Sequence, residues 1–204
     1  MKRLIWLVAF VTVFAAPQAF ADREVVREES GIVVEEEAKP GQALPILTGT
    51  TTMSAPAEQI AAWIGATHTY VDWMHNCEEA RVVKGKGGEV YGYSRIASPW
   101  PVSDRDVVLR SVRSDNPDGT IRIEFLSTND VEVPVPRGAV RMVHLEGSYE
   151  LKPVEGGTHV IYTVDSDPGG SLPTWLIRQA GKDLPYFTLR NLRERAEKGP
   201  PPAA

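Results

Sequence analysis

The residues of this chain that could do chemistry do not stand at the spacings that common catalytic sites use. Gly169-Gly170-Ser171 precedes a predicted helix but lacks the Gly-x-Ser-x-Gly pattern of a hydrolase nucleophile. Lys84-Gly85-Lys86-Gly87-Gly88 has glycines and lysines without the spacing of a phosphate-binding loop. His68 and His75 are seven positions apart with no suitable third ligand nearby, so we expect no metal site. The sequence therefore predicts a protein that is not an enzyme and needs no cofactor.

Charge and cysteine content further limit the class of protein to which this chain can belong. The chain has 204 residues, with 22 Lys and Arg against 27 Asp and Glu, which gives a formal net charge of −5. An acidic chain lacks the basic face that phosphate contacts require, so we expect no nucleic-acid partner. Cys77 is the single cysteine, which excludes an internal disulfide. It closely follows Trp73 and Met74, and we interpret it as a small buried hydrophobic residue.

The N-terminus carries the pattern of an export signal. Lys2 and Arg3 precede an apolar run, Leu4–Ala16, that is too short to span a bilayer, and Ala19-Phe20-Ala21 is a small-x-small cleavage motif. We therefore predict a signal peptide over residues 1–21 and export, with the periplasm as the expected location. Loss of the two basic residues would take the net charge from −5 to −7.

The rest of the chain is predicted to form one domain over residues 22–198, followed by a disordered, proline-rich tail over residues 199–204. Apolar residues alternate with polar ones over most of this domain, which indicates antiparallel strands with one wet face. Strands are predicted over residues 46–53, 78–84, 90–97, 106–113, 120–127, 141–151 and 158–165, after a hairpin over residues 25–36.

Two helices complete the prediction. A short one begins near Pro56 and ends at Gly65, and a long one runs from Pro173 to about Lys198. Pro185 stands inside the long helix and has no N–H to bond the carbonyl of residue 181, so we expect a kink there. The inner stripe of this helix is predicted to be Leu172, Leu176, Ala180, Leu184 and Phe187.

Two proline-rich blocks carry a resemblance to a known family. The first, residues 98–108, contains Pro99-Trp100-Pro101 followed by Arg105-Asp106, and the second, residues 167–176, contains Asp167-Pro168-Gly169-Gly170 followed by Pro173 and Trp175-Leu176. In order and separation they resemble the START family of lipid-transfer domains in its bacterial exported form, over roughly residues 24–195. The resemblance implies an α+β helix-grip fold, in which a curved antiparallel sheet wraps around a long C-terminal helix and encloses an apolar cavity.

The resemblance also gives Arg105 a role. The matching arginine of START-like proteins often points inward and pairs with an acid near the cavity, and an unpaired buried charge is costly. Asp104 and Asp106 are expected on the opposite face of the strand, which leaves Glu124 and Asp165 as alternatives. A structural ion pair without ligand contact is an equally good interpretation. The residues predicted to contact the ligand are Arg105, Trp100, Tyr93, Phe125, Trp175, Leu176, Leu184 and Phe187.

The expected function is to bind one hydrophobic molecule, a lipid above all, as a monomer with transient membrane contact. The alternative is a cyclase- or aromatase-like enzyme of the same superfamily, which would hold a hydrophobic substrate in a similar cavity. Polar groups that converge inside the cavity would favour the enzyme, and an apolar cavity would favour the carrier or sensor.

Overall fold

One curved sheet and one long helix account for most of the computed structural model, which describes residues 23–42, 44–142, 144–170 and 172–203. The predicted signal peptide and Ser171 lie outside these ranges. The strands are β1 (Arg23–Glu29), β2 (Ile32–Glu37), β3 (Ile46–Met53), β4 (Cys77–Lys84), β5 (Val90–Ile96), β6 (Asp104–Asp115), β7 (Ile121–Ser127), β8 (Ala139–Arg141), β9 (His144–Val154) and β10 (Gly157–Asp167). The helices are α1 (Ala57–Gly65), α2 (Tyr70–Trp73) and α3 (Thr174–Ala196), with a 3₁₀ turn at Thr67–Thr69.

The strands form one sheet in the order β1-β2-β3-β10-β9-β7-β6-β5-β4, and every pair of neighbours in this order is antiparallel. The short strand β8 lies outside the order and pairs in parallel with β6. The predicted α+β helix-grip fold is therefore confirmed. The alternation predicted for the strands also holds in the core, where Ile123 lies opposite Tyr149 and both are buried.

The core lies between the concave face of the sheet and the helices. The second half of α3 supplies Leu189, Leu192 and Ala196, each of which is fully buried. These side chains pack in one cluster with Ile32 of β2 and Leu151 of β9, among others. The first half of α3 is less buried, and its inner side chains face a cavity instead. The helix therefore grips the sheet through its C-terminal half.

A glycine in β3 lets α3 approach the sheet closely. A Cβ atom on Gly49 would lie 2.7 Å from Leu189 Cδ1 and 3.0 Å from Pro185 Cβ, both closer than side chains normally pack. Gly49 is itself buried between β2 and β10. The absence of a side chain at this position therefore fixes how near the middle of α3 lies to the sheet.

The backbone of residues 199–203, the predicted tail within the described chain, lies near α1 and the 3₁₀ turn. The indole Nε1 of Trp63 donates to the carbonyl of Gly199 at 2.8 Å, and the Nε2 atom of His68 lies 3.3 Å from the carbonyl oxygen of Pro202. The carbonyl of Gly199 is therefore paired with a side chain of α1. Within the described residues, the helices are too short or too polar to cross a membrane.

Candidate ligand cavity

A cavity of about 640 Å³ lies between the concave face of the sheet and the first half of α3. Its size falls within the usual range of small-molecule sites, ~300–1,000 Å³. Most of its lining is apolar, with Leu47 of β3, Val107 and Leu109 of β6, and Phe125 of β7 among the side chains that the sheet contributes. These residues face inward because alternate residues of a strand share one face.

One wall of the cavity is α3. Trp175, Leu176 and Leu184, all predicted to contact the ligand, line it, as do Leu172 and Ala180 of the predicted stripe. Leu176, Ala180 and Leu184 follow the helical period, and Leu172 lies in the loop just before α3. Phe125, another of the predicted contact residues, lines the cavity from β7.

Phe187 does not line the cavity, contrary to the prediction. Its ring stacks on His75 with centroids 5.0 Å apart. The guanidinium carbons of Arg27 and Arg190 lie 5.0 Å and 4.7 Å from the centroid of the same ring. Residues three apart share one face of a regular helix, so the helical period alone does not account for this position of Phe187. Thr188, one residue further, lines the cavity in its place.

Arg105 lines the cavity, but its partners are backbone carbonyls rather than an acid. The guanidinium donates from Nη1 to Ser103 at 2.6 Å, from Nε to Pro168 at 3.2 Å and from Nη2 to Gly169 at 2.9 Å. Only 7% of the residue is exposed, and burial lowers the pKa of its guanidinium, which stays protonated at neutral pH. One side chain thus ties the loop before β6 to the loop before α3.

Both acids that the sequence offered to Arg105 are engaged elsewhere. Glu124 pairs with Arg122 on the same strand at 3.2 Å, and Asp165 pairs with Lys39. The buried ion pair of this region is formed by Asp106, which is fully buried and accepts two hydrogen bonds from Arg141 at 3.0 and 2.8 Å. Sequence reasoning missed this pair because β8 is only three residues long and pairs out of chain order.

Two other predicted contact residues lie outside the cavity lining. Trp100 is 91% exposed at the tip of the loop before β6, although its neighbour Pro99 does line the cavity. Tyr93 is 1% exposed and packs on the other face of the sheet, with Tyr91, Val108 and Val133. Strand alternation accounts for Tyr93: the inward residues of β5 are Ser94 and Ile96, so Tyr93 faces away.

The cavity has two distinguishable ends. We call the residues Pro99, Arg105, Pro168, Leu172 and Trp175 the mouth, because they belong to the two loops that Arg105 joins and to the start of α3. We call Ile64, Tyr70, Tyr149 and Tyr162 the deep end. Tyr149 pairs with Ile123, which pairs with Arg113, eight residues along β6 from Arg105. At about 3.3 Å per residue, the two ends are separated by at most ~26 Å along the sheet.

Three tyrosines at the deep end were not predicted as ligand contacts. Tyr149 and Tyr162 are cross-strand neighbours whose rings stack with centroids 4.5 Å apart and planes 9° apart. Burial raises the pKa of both phenols, and it raises that of Tyr70 to about 12, so all three are neutral at physiological pH. Alternation on β9 and β10 placed Tyr149 and Tyr162 on inward faces, but nothing in the sequence separated cavity residues from core residues.

Polar side chains of α3 and the α2–β4 turn border the cavity between its ends. Asp183 accepts a hydrogen bond from Arg27 Nη1 at 2.9 Å, and the Arg27 guanidinium lies 3.5 Å from the centroid of the Tyr186 ring. His75 lies nearby, and burial lowers the pKa of its imidazole, which is neutral at pH 7. Asp183 therefore contributes to a clamp between β1 and α3, in which its charge is already paired.

One group of metal-ligating residues lies outside the cavity lining. One ligand atom each from His144, Glu146 and Asp165 come within 4.8 Å of one another, at the edge shared by β9 and β10. The ammonium of Lys39 pairs with Asp165 and supplies positive charge at the same place. The arrangement is that of an ion-pair network that holds the β2–β3 loop against β10.

Comparison with known proteins agrees with this architecture. A protein of Pseudomonas aeruginosa with no assigned function is 33% identical over 197 residues, which cover 96% of this chain and 97% of the relative. Phosphatidylcholine transfer protein of Rattus norvegicus is 28% identical over 109 residues, and the match spans about half of each chain, 51%.

Among solved structures, the chain is also similar to lipid transfer proteins. A STAR-related lipid transfer protein of Xanthomonas axonopodis, 28% identical, superposes with a TM-score of 0.76 and covers 85% of this chain and 98% of that one. Human StAR-related lipid transfer protein 5 superposes with a TM-score of 0.77 over 89% of each chain; at 17% identity this likeness concerns the fold alone. The START domain family matches residues 24–199, nearly the whole described chain, and the protein therefore belongs to the START domain family, as its two proline-rich blocks predicted.

Proposed function

We propose that the protein binds one amphipathic lipid in the cavity, as a carrier or sensor, and does not alter it chemically. The observation that carries the proposal is the apolar lining of a cavity of about 640 Å³ in a START domain. The names of the Xanthomonas and rat relatives, both lipid-transfer proteins, support it. The charged side chains of the lining support binding over catalysis, because Arg105 and Asp183 are held by protein groups at different places rather than converging on one point.

Burial would supply most of the affinity. Each CH₂ group moved from water into the cavity contributes about 0.8 kcal/mol, so one acyl chain is enough for firm binding before the costs of association are subtracted. The lipid would enter between the two loops of the mouth, since these loops and the first half of α3 are the less buried parts of the wall. Arg105 joins the loops and would have to release one of them during exchange.

The mouth also carries the aromatic groups that a membrane surface would accept. Trp100 is 91% exposed on the loop before β6, and Trp175 is 52% exposed at the start of α3. Tryptophan favours the interface between water and lipid. We propose that the exported protein works as a periplasmic monomer that touches a membrane transiently through these side chains. Reduced binding of Trp100→Ser and Trp175→Ser variants to vesicles, with unchanged melting temperatures, is the expected result.

Native lipid extraction tests the central proposal. Organic extract of the purified protein is analysed by mass spectrometry, and fluorescent fatty acids, phospholipids and sterols are titrated into the delipidated protein. Ala180→Trp, which fills the cavity from α3, should abolish binding, whereas Lys182→Trp on the exposed side of the same helix should retain it. If no lipid binds a folded protein, or if Ala180→Trp binds as the parent does, the cavity is not a lipid site.

A further inference from the structure

Three arginines around the mouth form no ion pair with a carboxylate of the described chain. Arg105 is buried and donates to backbone carbonyls only. Arg137, in the loop before β8, and Arg178, near the start of α3, are exposed and make no ion pair within the described residues. Their charges are therefore available to a partner outside the protein.

The loop before β8 brings Arg137 to the mouth. Arg137 precedes Gly138, whose carbonyl accepts a hydrogen bond from the N–H of Asp104 at 3.2 Å, where β6 begins after the first mouth loop. A Cβ atom on Gly169 would lie 3.6 Å from Val140 of β8, so the same segment also lies against the loop before α3. Arg137 therefore stands beside both loops that Arg105 joins.

Arg178 shares one face of α3 with an exposed tryptophan. It follows Trp175 by three residues, a spacing at which side chains are neighbours on a helix, and both residues are exposed. Leu176 and Ala180, on the other side of the same turns, line the cavity. The start of α3 is therefore amphipathic, and tryptophan together with a cation beside it is typical of helices that lie at a membrane interface.

The acids on these three segments do not cancel the positive charges. Asp104 is itself paired, because it accepts a hydrogen bond from Arg95 Nε at 2.8 Å. The two acids of residues 130–132 flank Val131, which packs against the other face of the sheet. Asp167 is exposed and offsets one of the three positive charges. The surface around the mouth is therefore net positive, in a chain whose formal net charge is −5.

We propose that this face docks on an anionic lipid surface, where Arg137 and Arg178 bind the phosphate groups of negatively charged lipids. The inference rests on the membrane contact of the proposed function and adds the chemistry of the membrane that it selects. A guanidinium binds phosphate oxygens through two parallel N–H groups, which suits such a surface. The exposed rings of Trp100 and Trp175 favour a bilayer over an acidic protein as the partner, because indole groups accept the interface between water and lipid. Docking in this way places the mouth of the cavity on the bilayer.

Vesicles of two compositions test this assignment. We measure co-sedimentation of the purified protein with vesicles of phosphatidylcholine alone and with mixed vesicles in which about one lipid in three is phosphatidylglycerol, an anionic lipid. The parent is compared with the double variant Arg137→Gln/Arg178→Gln. The matched control, Lys84→Gln/Lys86→Gln, removes the same number of charges from the β4–β5 turn, where both lysines are exposed and make no ion pair within the described chain. Strand β5 separates this turn from the mouth by ~20 Å, about twice the distance over which ~0.1 M salt screens a charge.

The expected result is a loss of preference for the anionic surface, not of folding. The affinity of the double variant for mixed vesicles should fall about 30-fold, because each cation near an anionic surface contributes about fivefold. Its affinity for neutral vesicles and its melting temperature should stay at the parent's values, and the control should bind both kinds of vesicle as the parent does. If the double variant keeps the parent's affinity for mixed vesicles, or if the control loses as much, this inference is wrong and the contact through tryptophan stands. If the parent binds neither kind of vesicle while fluorescent lipid enters its cavity, the membrane contact fails with this inference and lipid binding stands.

Discussion

Replacing Arg105 with leucine tests how one guanidinium holds the mouth together. Leucine keeps an apolar stem but removes all three hydrogen bonds, to Ser103, Pro168 and Gly169. A buried hydrogen bond to a charged group contributes ~1.5–3 kcal/mol, but the three carbonyls lie in loops that water can partly reach, so each should cost nearer 1 kcal/mol. Part of this loss of stability is offset, because the Arg105→Leu variant no longer buries a cation.

The expected loss is therefore about 2–3 kcal/mol in the free energy of unfolding. For a domain of this size each kcal/mol lowers the melting temperature by about 2–4 °C, which predicts a fall of roughly 5–10 °C. Urea titration followed by circular dichroism gives the free energy, and a thermal scan gives the melting temperature. Arg105→Lys should lie between parent and Arg105→Leu, because one ammonium keeps the charge but cannot span three carbonyls as the planar fork does.

Arg110→Leu is the matched control on the same strand. Arg110 is exposed, so its replacement should change the free energy of unfolding by no more than about 0.5 kcal/mol. Bound fluorescent lipid should leave Arg105→Leu faster than it leaves the control, because the two loops are no longer joined. If Arg105→Leu has the parent's melting temperature and releases lipid at the parent's rate, the three hydrogen bonds do not stabilise the mouth and the reasoning fails.

Three other predictions concern α3 and the buried thiol. Pro185→Ala restores a helical hydrogen bond and should slow exchange of a bound fluorescent lipid, measured by stopped flow, more than it changes affinity; equal rates would leave proline as a packing residue. Gly49→Ala, which forces a Cβ to within 3.0 Å of two α3 side chains, should lower the free energy of unfolding by about 1–3 kcal/mol in urea titrations, whereas Gly65→Ala, with open space around it, should not. Burial raises the pKa of the Cys77 thiol to about 11, so iodoacetamide at pH 8 should modify the folded protein roughly 100-fold more slowly than the unfolded chain; equal rates would contradict burial.

The strands and helices of this fold could be predicted from the sequence because each follows from a local residue pattern. Ile46–Met53 follows from its content of threonine, Val90–Ile96 from period-two alternation between turns, and α3 from its helical stripe. The same local rules placed Phe125, Trp175, Leu176 and Leu184 on the cavity. They depend only on which face of an element a residue occupies.

The errors have non-local causes. Tyr93 lies on the face of β5 that is turned away from the cavity, and Phe187, assigned to the inner stripe of α3, stacks on His75 and packs against the core. Trp100 belongs to a loop, where periodicity says nothing about direction. The carbonyl partners of Arg105 lie 63 and 64 positions away in sequence, and a backbone carbonyl has no residue type to recognise. The family resemblance predicted that an arginine lies at the cavity, but it did not identify the groups that this arginine binds.

The distribution of polar groups along the cavity indicates where ligand discrimination would arise. The apolar walls reward any chain of suitable length with about 0.8 kcal/mol for each CH₂ group, so they supply affinity but little selectivity. A site rejects a molecule chiefly when binding would leave a buried polar group unpaired. In this cavity the guanidinium of Arg105 at the mouth already has three carbonyl partners, so it is not left unpaired when a ligand lacks a matching group. Discrimination by the head group at Arg105 should therefore be weak, and the length of the apolar chain should govern affinity.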